Sequence, residues 1–151
     1  MANQLPPGRE LDKLVAEALG WVPWLEERGG YLHIVFQRPG DQEPWTRYRL
    51  DAREREMLRY RQIEWSGIDW SEHVVHGLAN FSTDIAAAMG GGGPWQALPD
   101  GATLTKAHEY SDGQAVCACP WNNGKQPIGR GTDEAHAICL AFLAWKEAED
   151  G

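Results

Sequence analysis

In the stretch RELDKLVAEAL (9–19), Leu11, Leu14, Val15, Ala18 and Leu19 recur three and four residues apart, a periodicity that predicts an amphipathic first helix. Gly20 follows where a left-handed residue ends a helix. The period then changes. YLHIVF (31–36) and WTRYRL (45–50) are rich in aromatic and branched residues and flank QRPGDQEP, whose Pro-Gly pair is turn chemistry, so the two runs are expected to form a hairpin. Because strand side chains alternate, Trp45, Arg47 and Arg49 would share one face of the second run. From Asp51 to about Tyr60, DAREREMLRY joins good helix formers to an acidic first residue and reads as a short charged helix. DWSEHVVHGLAN (69–80) reads as a helical turn or two capped by Ser71.

The stretch NFSTDIAAAMGGGGPW (80–95) sets four glycines near Ser-Thr-Asp and resembles a phosphate loop at first sight. A phosphate loop needs its glycines before the helix, so that backbone N–H groups and the helix N-terminus converge on the anion. Here Ser82 is expected to cap the helix TDIAAAM, with Asp84 in its first turn, and Gly90 to Gly93 follow as a terminator or connector. Further on, ATLTKAHEY (102–110) and GQAVCACPW (113–121), separated by Ser-Asp-Gly, predict a second hairpin. A final helix is expected from near Thr132 or Asp133, with Ala135, Ile138, Cys139, Phe142 and Leu143 on its apolar stripe.

These elements predict an α/β (α+β) fold: one domain over residues 1–151, an alpha-beta sandwich whose small antiparallel sheet is covered by helices, with an inserted hairpin at about 26–79. Helices on both faces of the sheet would bury Leu14, Val15, Ile85, Val116, Ile138 and Phe142. A hydrophobic content of 42% and a charged content of 24% agree with a globular chain. The net charge of −8 argues against attraction of the whole surface to nucleic acid or an anionic membrane. Charge is nevertheless uneven: Arg47, Arg49, Arg53, Arg55, Arg59 and Arg61 fall within one short segment, interleaved with Glu54 and Glu56. No apolar run is long enough to span a membrane, and the first residues lack the charged and apolar regions of a secretory signal. Three cysteines without a disulfide framework suit a reducing compartment, so a cytoplasmic location is expected.

Three segments carry a resemblance. RELDKLVAEALGW near the start, FSTDIAAAM in the middle and AHAICLAFLAW near the end are similar, in that order, to the helical signatures of the phage ABA-sandwich domain family, and the first is also similar to the NinX-like phage proteins. The resemblance implies a small phage or prophage protein acting in the host cytoplasm. Two departures stand beside it: the middle helix breaks into Gly90 to Gly93, and the segment from about Glu26 to Ala79 is longer than the pattern expects.

Candidate chemistry lies in three places. The loop NNGKQPIGRGTDE (122–134) sets Lys125 and Arg130 before a helix N-terminus beside Thr132, which makes an anion site, with Trp121 adjoining; the bland reading is an ordinary connection in which Thr132 caps and Asp133 satisfies the dipole. The arginine run offers Arg47 and Arg49 for an anion with Trp45 for stacking, against the reading of a solvated charged face. Cys117, Cys119, His136 and Cys139 are zinc-type ligands whose spacing is weak evidence, since free cysteines are often small buried residues. His73 and His76 lack the metalloprotease pattern and read as surface histidines.

Eight tryptophans are more than such a chain needs; most are expected in the core and some in a groove or interface. With neither a nucleophile elbow nor a nucleophile-base pair, the expectation is a non-catalytic phage accessory protein, not an enzyme and without cofactor, that binds a small anionic, nucleotide-like ligand, as in counter-defence. The alternatives are an inhibitor or assembly module that meets a host protein through the Trp-rich insertion, and a weak nucleic-acid binder. A homo-oligomer is compatible with all three.

Overall fold

A computed structural model describes residues 5–28, 31–41, 59–105, 114–120 and 127–150. The fold is α+β, with two small sheets, and the chain divides into two compact units: Met1–Leu19 with Ala79–Gly151, and Gly20–Leu78.

The Gly20–Leu78 unit is built on a sheet of β1 (Val22–Arg28), β2 (Tyr31–Gln37), β3 (Arg59–Gln62) and β4 (Val74–Val75), in the order β3-β1-β2-β4. β1 pairs antiparallel with both β2 and β3, and β4 runs parallel to β2. The partner of the 31–36 run is therefore VPWLEER, directly before it, a strand that the hydrophobic pattern did not single out because Glu26 and Glu27 interrupt it. Residues 45–50, expected as that partner, and residues 51–58 of the expected charged helix lie outside the described residues; Arg59 and Tyr60, at that helix's end, are in β3. On this sheet Phe36 stacks on Trp65 with ring centroids 5.4 Å apart and meets Trp21 at 6.0 Å, while the Arg38 guanidinium lies over Trp21 at 4.8 Å. The expected helix over 69–80 is instead a turn followed by β4. Asp69 organises the turn: its carboxylate accepts from the Ser71 backbone N–H at 3.0 Å and the Ser71 hydroxyl at 2.6 Å, so Ser71 donates where it was expected to cap.

The other unit begins with α1 (Arg9–Ala18), closed by Gly20 at φ 90° in the left-handed region, as its position after Leu19 suggested. Its buried side is Leu11, Asp12, Val15 and Ala16, so the stripe is rotated from the expected one and Leu14 is only half-buried. The middle region forms two short helices, α2 (Ile85–Met89) and α3 (Pro94–Ala97). Asp84 caps α2 by accepting from the Ala86 N–H at 3.0 Å, in the place expected for Ser82. The glycines do end α2, and they also begin α3, with Gly93 donating its N–H to Gly90 O at 3.0 Å.

A three-stranded antiparallel sheet follows: β5 (Thr103–Thr105), β6 (Ala115–Ala118) and β7 (Ile128–Gly131), in that order. The second expected hairpin is thus present as β5 and β6. β7 was not expected; it occupies what read as loop. α4 (Glu134–Asp150) lies on this sheet and also packs against α1, α2 and α3. Every residue from 135 to 143 is consequently buried, and α4 has no polar side over that span, although a single stripe was expected. Ile138 and Phe142 are fully buried and Val15 joins them, whereas Val116 is half-buried and Ile85 is 43% exposed. Val116 shares its row with the exposed Arg130, on the side of the sheet away from α4, and Ile85 opens a five-residue helix that buries Ala88 instead.

The approach of α4 to β7 depends on Gly129 and Gly131. A methyl group at Gly129 would overlap Ala137 O and Ala141 N, and one at Gly131 would lie 2.6 Å from Ala137 N. These glycines serve helix packing. Gly129→Ala and Gly131→Ala are expected to lower stability by about 2 kcal/mol or more through overpacking against backbone. Gly91→Ala, where a methyl meets nothing within 4 Å, should stay within about 0.5 kcal/mol of the parent protein. Urea melts of the three variants check the contrast.

Candidate functional site

In the 20–78 unit, register puts Tyr60, Glu26, His33 and Val74 in one row across the four strands. Glu26 is 4% exposed, unusual for a carboxylate inside a sheet. His33 Nδ1 lies 2.7 Å from His76 Nε2, with ring planes 15° apart and centroids 4.9 Å apart. That centroid separation is close to the N–N distance plus the two ring radii, so the rings meet edge to edge across a hydrogen bond. His76 is held by its backbone N–H to Ile34 O at 2.9 Å. His73 turns elsewhere, its Nδ1 accepting from the Asp69 N–H at 3.0 Å. The histidine expected on the surface beside His73 is thus paired with one from β2; the polar His33 within the apolar run YLHIVF was the only trace of this in the sequence.

Beside that row lies a depression of another character. Leu25, Glu27, Leu32, Tyr60 and Arg61 line an open depression of about 310 Å³. Leu32 is 45% exposed, Arg61 is exposed, and Tyr60 is half-buried. Two leucines supply apolar walls, Arg61 a fixed positive charge, and Glu27 an acceptor for N–H groups. Arg61 and Tyr60 are described residues of the arginine-rich segment; Trp45, Arg47 and Arg49, named as its ligand residues, lie outside the described residues.

In the other unit, Arg130 and Thr132 are exposed at the end of β7, while Lys125 and Trp121 lie outside the described residues. The α4 N-terminus is already satisfied from within. Asp133 accepts the His136 N–H at 2.9 Å, and the Thr132 N–H goes to His136 Nδ1 at 3.0 Å. A carboxylate thus stands where an anion would sit, and Asp133 does the capping expected of Thr132. Because Nδ1 accepts, His136 carries its proton on Nε2 and donates to Leu5 O at 2.8 Å. Both nitrogens of the proposed zinc ligand are thereby engaged with backbone. Cys117, Cys119 and Cys139 are each buried and free, and no group of three or more His, Cys, Asp or Glu side chains converges as a metal set among the described residues. Cys117 is pushed up by its thiol contact with Cys119 and by burial, Cys139 is pushed up by burial and by Asp12 and Asp133, and Cys119 is lowered by the Cys117 contact against its own burial.

A buried polar link joins α1 to the segment before α2. Ser82 donates its hydroxyl to Asp12 Oδ1 at 2.7 Å and its backbone N–H to the same oxygen at 2.8 Å, and its Oγ accepts from the Gly8 N–H at 2.8 Å. Asp12 is 1% exposed and Ser82 is 0% exposed. With no access from solvent, this pair fastens two segments and presents no nucleophile.

A comparison of the chain with protein-family models, curated proteins and solved structures finds no match. Among the described residues, no helix is long and apolar enough to cross a membrane.

Three measurements follow from this geometry. Ser82→Ala should cost about 2 kcal/mol in a denaturant melt, because it leaves a buried carboxylate one hydrogen bond short. Ellman's reagent should leave all three thiols unlabelled in the folded protein for as long as it needs to label all three in denaturant, since burial denies access. The Asp69 carboxyl is held below its ordinary 3.8, first by the Ser71 hydroxyl and then by its N–H, so the turn's extra stability is present above that value and is lost as pH falls through the lowered one. Amide shifts of Ser71 and Glu72 in an NMR titration should therefore show a midpoint under 3.8.

Proposed function

We propose that this is a non-catalytic accessory protein that acts by binding, and that its ligand is a small anionic molecule of nucleotide type held on the 20–78 unit. The observation that carries the reading is the depression where Tyr60 and Arg61 meet Leu25 and Leu32. Aliphatic and aromatic surface suits the faces of a base, a guanidinium suits a phosphate, and Glu27 suits the amino edge of a base. Trp45, Arg47 and Arg49 belong to the same unit by sequence and extend the proposal. The loop before α4 supports it less, because Asp133 already fills the helix N-terminus; Arg130, Lys125, Thr132 and Trp121 remain subordinate candidates. A phage setting, action in the host cytoplasm and a counter-defence role rest on the resemblance alone.

The second reading, a host-protein interface made by the tryptophans, has less support. Trp21 and Trp65 pack on Phe36, and Trp24 donates to Gln37 Oε1 at 3.1 Å, so these three are engaged inside their own unit. Calorimetric titration with a panel of nucleotides tests the proposal. A bound nucleotide whose affinity falls at least tenfold in Arg61→Glu is the expected outcome; flat titrations across the panel remove it. Binding to mixed-sequence DNA or RNA, with a steep salt dependence, would point to the nucleic-acid reading instead.

A further inference from the structure

The unit that contains α1 and α4 carries a recess of its own, independent of the nucleotide reading. It measures about 360 Å³ and is bordered by α3 and the turn after it, with Trp95, Leu98, Pro99, Asp100 and Ala102 among its walls. Backbone bonds fix this border. The Leu98 N–H donates to Trp95 O at 3.2 Å, and the Ala102 N–H donates to Pro99 O at 3.3 Å around a turn in which Gly101 takes φ 93°. The turn is seated on Pro120, since a methyl at Gly101 would lie 3.1 Å from Pro120 Cγ. Leu98 is 7% exposed and anchors the middle of the segment, with the half-buried Trp95 before it and the exposed Asp100 after it.

Asp100 is the one charged group among the described residues at this border, and no described residue pairs with its carboxylate. Gln96 is engaged elsewhere, donating from Nε2 to Met89 O at 3.2 Å. A single carboxylate beside an indole and aliphatic side chains repels anions and offers too few ligands for a metal ion. We propose that this recess binds a small alkylammonium cation, whose charge is balanced by Asp100 and whose alkyl groups cover Trp95 and Pro99. Of the aromatic side chains, an indole attracts such a cation most strongly. A hydrated inorganic cation has no apolar surface to place there, whereas a substituted ammonium has both parts. The volume leaves room for one, since ligand sites begin at about 300 Å³. The chain's net charge of −8 also favours the approach of cations.

Choline is the probe, its control is the neutral alcohol in which carbon replaces the nitrogen, and the readout is the amide and indole N–H spectrum of isotope-labelled protein. The expected result is a saturable choline-induced shift of the Trp95 indole N–H and of the Asp100 and Gly101 amides. Binding should be at least threefold weaker for the neutral alcohol, in Asp100→Asn and in Trp95→Leu. Absence of saturable shifts with choline, shifts centred outside residues 95–102, or an affinity within threefold of the parent's in either variant or for the alcohol overturns the proposal. A trimethyllysine peptide bound at least tenfold more tightly than choline also overturns it, by assigning the cation to a protein partner. Asp100 is exposed, so Asp100→Asn keeps the fold and decides the matter should circular dichroism show that Trp95→Leu does not fold.

Discussion

Helix α4 lies on β7 at a distance that no side chain on the facing positions of the strand would permit. Gly129 and Gly131 leave the strand bare where Ala137 and Ala141 press against it, and that close approach lets one helix be buried all round from Ala135 to Leu143. With one side against the sheet, the helix offers its remaining surface to α1, α2 and α3, and the unit's core forms around it. Fully burying each of Ile138, Leu140 and Phe142 contributes about 1.5–3 kcal/mol, so the glycines govern a large share of the unit's stability. The surrounding polar bonds follow from this arrangement. His136 ties Leu5 to the first turn of α4, and Asp12 with Ser82 ties α1 to the segment leading into α2.

The same constraint redefines the glycines that drew attention as ligand chemistry. In the GRG segment, alternation along β7 points both glycines at the helix and Arg130 to solvent. In the run Gly90 to Gly93, a methyl at Gly93 would lie 2.7 Å from Ala87 O, so that residue too is small because backbone passes close to it. In the 20–78 sheet, Leu25, Glu27, Leu32 and Arg61 border a depression, and the row between them holds Glu26 and His33, which meets His76. Exposed aliphatic surface beside a guanidinium and a buried carboxylate opposite an imidazole arise from opposite faces of one β1–β2 ladder.

Much of the fold was legible in the sequence, and where it was not the reasons are physical. The first and last helices and the β5–β6 hairpin followed from periodicity and turn residues, because each has a long or clearly bounded apolar pattern. β1 was missed because two glutamates break its alternation, and Glu26 is inside only for reasons set by its neighbours on β2 and β3. α1 was rotated in the reading because periodicity assigns Asp12 to solvent, whereas its hydrogen bonds to Ser82, 70 residues away, draw it inside. Ser82 was read as a cap for the same reason: a local role was the only one its neighbours suggested. Of the candidate site, Arg130 and Thr132 are exposed at the end of β7, while the pairing of His33 with His76 showed in the sequence only as a polar residue in an apolar run, and that of His136 with Leu5 left no local signature.

The order of the units along the chain has a consequence for synthesis. Gly20–Leu78 is continuous, so a ribosome delivers it whole before the other unit has more than its first helix. α1 emerges early and must wait for Ser82 to meet its Asp12 carboxylate, and longer still for α4, translated after everything it packs against. During that interval the apolar side of α1 has no native mate, so the order of synthesis leaves the first helix uncovered longer than any other element of its unit.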